Sequence, residues 1–175
     1  MNMDIKEELL KGNDLFIKEI NDDENIKLQM NSLIKGQKPY ALIITCSDSR
    51  VIPEKIFNKG FGELFVIRSA GNVINDGELG TIEYAIEHLH IKYILVLGHT
   101  LCGAIHASMH NEKGQYLGPI LNRISASIKG ITNERAASIE NAEKEKEYIK
   151  KMFPDYDGII DSGLYEIETN KVYIF

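Results

Sequence analysis

Apolar and polar positions along this chain fall into blocks whose spacing changes from segment to segment. Over residues 4–20, Ile5, Leu9, Phe16 and Ile20 recur among charges at close to helical spacing, which predicts an amphipathic helix. Residues 21–25 are a polar break, and a second short helix is predicted over residues 28–33. Gly36-Gln37-Lys38-Pro39 reads as a turn. Beyond it stand three uninterrupted apolar runs, at residues 40–45, 64–67 and 93–97. Runs without polar alternation suit strands buried on both faces, as in a parallel sheet covered by helices. Between the second and third runs, Leu79, Ile82, Ala85, Ile86 and Leu89 form one face of a helix over residues 78–90. Strand, helix and strand in that order predict βαβ units.

The remainder is less regular. Leu117, Leu121, Ile124 and Ile128 repeat at helical spacing. Residues 133–152 are rich in Glu, Lys and Ala, which predicts an exposed helix with ion pairs on its solvent face, stopped by Pro154. Residues 158–160, 164–167 and 172–175 read as short strands at a sheet edge, the last two separated by a turn at Thr169-Asn170-Lys171. The expected fold is therefore α/β. The expected organisation is one domain over residues 1–175, with a helical arm (1–35), a site-bearing core (39–110) and a helical segment followed by C-terminal strands (111–175).

Composition narrows the function classes. The chain has 175 residues, 43% of them hydrophobic and 26% charged, which is ordinary for a globular domain with a full core. A formal net charge of -6 argues against a nucleic-acid-binding surface. No apolar run approaches the roughly 20 residues that cross a bilayer, and the first residues are polar, without the apolar segment of a secretion signal. A cytoplasmic location and no membrane partner are expected. In a reducing compartment the two cysteines favour metal or catalytic use over a disulfide.

Both cysteines follow predicted strands. Cys46 closes the first apolar run and opens Cys46-Ser47-Asp48-Ser49-Arg50, while the third run ends in Gly98-His99-Thr100-Leu101-Cys102-Gly103. His99 and Cys102 stand three residues apart, so one turn of chain lets both reach a single ion. Two thiolates and an imidazole leave a zinc ion one open position, the arrangement of catalytic rather than structural zinc sites. In open parallel sheets, ligands bind beyond the carboxyl ends of the strands, and Arg68-Ser69-Ala70-Gly71-Asn72 closes the second run at that same end. Ser69, Ala70, Gly71 and Gly103 are accordingly expected to line the substrate pocket. Gly98 is expected to relieve crowding before this motif, and Gly103 to let the backbone approach closely after it. Asp48 and Arg50 supply a charged pair beside the ion, and the same pair could instead cap the helix announced by Pro53. Plainer readings stay open: buried apolar cysteines, a redox pair, a satisfied core histidine. His88, His90, His106 and His110 read as surface residues, with His106 or His110 a possible lining of the site's mouth.

These motifs, together with the segment around Glu83-Tyr84-Ala85, resemble the β-class carbonic anhydrases over roughly residues 39–107, and the length is similar to the compact archaeal and bacterial subgroup. The resemblance implies zinc held by Cys46, His99 and Cys102, and an active-site pair of Asp48 and Arg50. It implies a mainly parallel four-stranded sheet flanked by helices, to which the C-terminal residues add an edge strand. It implies a homodimer or an assembly of dimers, with the N-terminal helix wrapping the partner and the site near the interface. The activity implied is reversible hydration of carbon dioxide to bicarbonate and a proton, by attack of zinc-bound hydroxide oriented by Asp48 and Arg50. Asp48 would become a fourth ligand only in a closed form. Two thiolates cancel the ion's charge, so the water is less acidified than on a three-histidine site and activity should rise with pH.

Three departures from the family pattern are visible. Ser69 stands where asparagine is usual, Leu101 where the compact subgroup often has aspartate, and the chain has no tryptophan, which the bicarbonate-regulated subgroup uses. The competing functions are hydrolysis of carbonyl sulfide or carbon disulfide on the same zinc shell, and a non-catalytic zinc-bearing relative.

Overall fold

The computed structural model describes residues 4–175, so the first three residues of the expected arm lie outside the described residues. The chain divides into two compact units, the first reaching to Lys38 and the second spanning Pro39–Phe175.

The first unit is two helices, α1 (Ile5–Asp22) and α2 (Glu24–Leu33). Asp4 caps α1, its carboxylate accepting from the Lys6 amide. Asp23 ends α1 and caps α2, accepting from the amides of Asn25 and Ile26. The expected break at residues 21–25 is therefore one residue wide, because a single aspartate serves both helix ends. Neither helix buries a residue, and Ile5, Leu9, Leu10, Leu15 and Leu28 are all well exposed.

The second unit is a five-stranded sheet flanked by helices. In chain order it comprises β1 (Ala41–Cys46), α3 (Pro53–Ile56), β2 (Leu64–Ser69), a 3₁₀ turn (Ala70–Asn72), α4 (Asp76–Glu87) and β3 (Tyr93–His99). It continues with α5 (Gly103–Met109), α6 (Gly118–Ser127), α7 (Glu134–Met152), β4 (Ile159–Glu166) and β5 (Lys171–Ile174). The strand order is β2-β1-β3-β4-β5; the first three neighbouring pairs are parallel and β4–β5 is antiparallel.

The apolar runs become strands because both of their faces are covered. Leu42 and Ile44 join Ile94, Val96, Ile82 and Ile149 on one side of the sheet. Ala41 and Ile43 join Leu95, Leu97 and Val51 on the other. Burying an aliphatic side chain of this size contributes about 1.5–3 kcal/mol. Helix α4 starts two residues before the predicted point because Asn75 and Glu78 form a capping box. Pro53 sits in the first turn of α3 as the sequence suggests.

Two predicted features differ. The segments expected at 158–160 and 164–167 merge into one strand, β4 (Ile159–Glu166), which lies inside the sheet between β3 and β5 rather than at its edge. Helix α7 is not simply a solvated helix, because Ala137, Ser138, Asn141, Ala142, Glu145 and Ile149 are buried along one face. That face packs close to β3 at Gly98, where an added Cβ would stand 2.8 Å from the Ser138 carbonyl oxygen. Glycine at that position is what permits the approach.

Candidate metal centre

β1, β2 and β3 run parallel, so their C-terminal residues Cys46, Ser69 and His99 emerge at the same end of the sheet. Thr45 locks the two ligand-bearing strands together, its hydroxyl donating to the Leu97 carbonyl at 2.8 Å. After β3 the chain turns through Thr100 and Leu101 and brings Cys102 to the start of α5. Among the described residues, Cys46, His99 and Cys102 form a buried group whose ligand atoms all lie within 4.8 Å of one another.

The donor set suits a cation. The two sulfurs are 3.9 Å apart and both thiols are free, so they are not a disulfide. His99 is 1% exposed, and its Nδ1 lies 2.8 Å from the Thr100 carbonyl oxygen. That oxygen only accepts, so Nδ1 is the donor, and it is Nε2 that would offer a lone pair to an ion. Nε2 is buried and has no hydrogen-bond partner among the described residues. A buried unpartnered nitrogen is costly, and an ion between it and the two sulfurs would supply the missing interaction.

Electrostatics point the same way. The Cys46 thiol is held well below the usual thiol range, first by hydrogen bonding from Cys102 and then by the backbone of Asp48 and Gly71, against the effect of burial. Cys102 is pushed up by the same sharing with Cys46 and by burial, while the backbone of Ile105 and Ala104 opposes this. One sulfur thus takes negative charge at the expense of the other. A divalent cation favours both as thiolates. Around them lies an apolar cluster of Val73, Ile105, Ile124, Ile128 and Ala137.

Asp48 stands beside this group, with Oδ2 4.0 Å from His99 Nε2. Arg50 grips it with Nε donating to Oδ1 at 2.9 Å and Nη2 donating to Oδ2 at 2.7 Å. The Arg50 backbone amide donates to Oδ1 as well, at 2.9 Å. The guanidinium hydrogen bonds hold the carboxyl well below the usual carboxylate range, despite partial burial. Nη2 of Arg50 also reaches the carbonyl oxygen of Leu101, between the two C-terminal ligands, at 3.1 Å.

The other expected pocket residues serve the frame of the site. The Ser69 hydroxyl donates to the Val73 carbonyl at 2.6 Å and closes the loop after β2. Ala70 is partly buried. Gly71 is buried; its amide donates to Cys46 Sγ at 3.4 Å and its carbonyl accepts from Asn141 Nδ2 at 2.9 Å. Both polar groups of Gly71 are therefore engaged within the chain, and its amide serves a sulfur. Gly103 is exposed, and a Cβ there would meet nothing within 4 Å among the described residues, so the close approach expected at Gly103 is absent. His106 pairs with Glu134 at 2.6 Å and packs its ring on His110 at 4.1 Å, and neither joins the ligand group.

Sequence reasoning missed three residues. Arg68 donates to the carbonyls of Cys46 (3.2 Å) and Asp48 (2.6 Å) and so holds the loop between ligand and dyad. Asn141 and Glu145 brace the loop after β2 from α7. Arg68 was legible as part of a strand-end motif. The other two lie in a segment whose composition suggested solvent.

Comparison with known proteins follows the same residues. A family model described as carbonic anhydrase matches residues 41–154. Carbonic anhydrase 2 of Mycobacterium tuberculosis is 45% identical over 101 residues, which is 55% of this chain and 49% of that protein. Beta carbonic anhydrase 3 of Arabidopsis thaliana is 34% identical over 158 residues, 79% of this chain and 60% of that protein. The matched region thus spans only half to three-fifths of the length of these relatives. Among solved structures, the β-carbonic anhydrase CcaA aligns with a TM-score of 0.80 at 27% identity, covering 98% of this chain and 95% of that one. A Coccomyxa β-carbonic anhydrase in complex with acetazolamide aligns with a TM-score of 0.79 at 26% identity, covering 94% and 83% of the two chains. Since the family match runs through Cys46, His99 and Cys102 and the strands that carry two of them, the chain belongs to the β-class carbonic anhydrase family.

Proposed function

We propose that this protein binds zinc through Cys46, His99 and Cys102 and catalyses the reversible hydration of carbon dioxide to bicarbonate and a proton. The observation that carries the reading is the His99 ring, fixed through Nδ1 and buried with an unpartnered Nε2 beside two free thiols. Two sulfur donors and one imidazole suit zinc over harder cations such as magnesium or calcium. When bound, zinc acidifies a water molecule and so supplies a nucleophile near neutral pH, a role long known from carbonic anhydrases.

The chain's own residues supply orientation. Asp48 is ionised, so its oxygens can only accept. Oδ2, near His99, accepts a hydrogen bond from the attacking water and directs its lone pair at the carbon of carbon dioxide. Arg50 offsets the negative charge that Asp48 would otherwise bring beside two thiolates, and its bidentate grip keeps the carboxylate from swinging onto the ion. The apolar cluster around the sulfurs suits a small apolar substrate.

A second copy of this chain is the proposed partner, in a dimer or an assembly of dimers. The exposed apolar side chains of α1 support it, as does the description of a structural neighbour from Sordaria macrospora as a tetrameric β-carbonic anhydrase. Among the described residues no helix is long and apolar enough to cross a membrane.

Stopped-flow hydration of carbon dioxide, with metal content measured on the same sample, tests this reading. About one zinc per chain and hydration that disappears in His99→Ala are expected. Metal-free protein with both thiols freely alkylated refutes it, and sulfide release from carbonyl sulfide without hydration of carbon dioxide reassigns the substrate.

A further inference from the structure

Among the three polar side chains that helix α7 buries, two stand one turn apart and reach beyond the helix, Asn141 at 0% and Glu145 at 1% exposure. Polar groups are buried at a cost unless they find partners, and both of these reach the loop leaving β2. Asn141 Nδ2 donates to the Gly71 carbonyl at 2.9 Å; that oxygen only accepts, which settles the orientation of the amide. Glu145 Oε2 accepts from the Ile74 amide at 3.3 Å, and Arg123 holds both Glu145 oxygens at 2.7 Å.

Between these anchors, Gly71 and Asn72 adopt successive left-handed conformations, φ +65° and +50°. Asparagine tolerates that conformation better than most residues but still at some strain. The turn aims the Gly71 N–H at Cys46 Sγ, 3.4 Å away. There is little room for the loop to move, since a Cβ on Gly71 would stand 2.7 Å from Ile124 Cδ1 and 3.2 Å from Ala104 Cβ.

We propose that Asn141 is a positioning residue for the metal centre: from α7 it holds the Gly71 peptide so that its N–H donates to the Cys46 sulfur, while Glu145 fixes the far end of the same loop. The inference rests on the reading of Cys46 as a metal ligand. Partners of this outer kind orient a ligand and tune the ion it holds. Here the N–H holds the sulfur in place and draws electron density from it, so the ion it ligates is more electrophilic. The chain reaches this with a residue about 95 positions away along the sequence from the ligand it serves.

The test compares cobalt(II)-loaded wild type, Asn141→Leu and, as a control, Ser138→Ala. Ser138 is buried on the same helix, but among the described residues its hydroxyl donates only to the Glu134 carbonyl of that helix. In Asn141→Leu the sulfur-to-cobalt charge-transfer band should move to longer wavelength, and cobalt affinity in a chelator competition should fall by about tenfold. Ser138→Ala should change neither. A variant whose band and affinity match wild type overturns the inference, as does an equal shift in the control. If Asn141→Leu does not fold, Asn141→Ala withdraws the donor and is judged by the same two readings. Wild type that takes up cobalt without a charge-transfer band removes the thiolate ligation itself, and with it the reading on which the inference stands.

Discussion

Arg50 clamps Asp48 through two parallel hydrogen bonds, Nε to Oδ1 at 2.9 Å and Nη2 to Oδ2 at 2.7 Å, and reaches the Leu101 carbonyl with the same Nη2. One guanidinium thus ties the β1 loop to the turn between His99 and Cys102. If the clamp orients the attacking water, Arg50→Ala and Asp48→Ala should each keep zinc and lose hydration by about 10²-fold, the scale of removing one oriented polar group. Stopped-flow rates with metal content check this, and full activity in either variant removes the assigned role.

Leu101 is 52% exposed and holds φ at +56°, a conformation that bulky residues rarely adopt. The conformation turns its carbonyl toward Arg50, and it costs about 1–2 kcal/mol. Asparagine tolerates it better, and an exposed leucine loses little packing. Leu101→Asn should therefore raise the melting temperature by roughly 2–4 °C at unchanged zinc content. An unchanged or lower melting temperature shows that no relievable strain sits there.

Tyr156 and Tyr93 govern alkaline stability. Each phenol is pushed up to about 12, by burial first and then by a carboxylate neighbour, Asp157 for Tyr156, and for Tyr93 the hydrogen-bonded Asp161. The folded values lie above the unfolded one, so the folded chain favours the neutral phenols. Their contribution is complete below pH 10 and is lost as pH rises toward 12. Chemical denaturation across that window should show stability falling, with a shallower fall in Tyr156→Phe. The variant also loses the hydrogen bond to the Ile91 carbonyl, at about 1 kcal/mol of baseline stability. Identical slopes contradict this.

What the sequence made legible follows from burial. β1 and β3 are covered on both faces, so their residues are nearly all apolar, and their ends carry Cys46 and His99 in plain view. β4 was obscured because Asp161, Ser162 and Gly163 interrupt its apolar residues. Those polar groups are satisfied by partners distant in sequence: Tyr93 donates to Asp161, and Ser162 bonds Glu143 and the Phe175 carbonyl. The inner face of α7 was hidden for a related reason. It is built from alanines, a serine, an asparagine, a glutamate and a single large apolar residue, Ile149, too few for hydrophobic periodicity to mark it. Only the fold shows that Asn141 and Glu145 face a loop about 70 residues earlier in the chain.

The convergence of Cys46, His99 and Cys102 on one ion is tested most directly by X-ray absorption at the zinc edge of the purified protein. The expected first shell is two sulfurs at about 2.3 Å, one imidazole nitrogen at about 2.0 Å and one oxygen. A shell of nitrogen and oxygen alone, with no sulfur, contradicts the account.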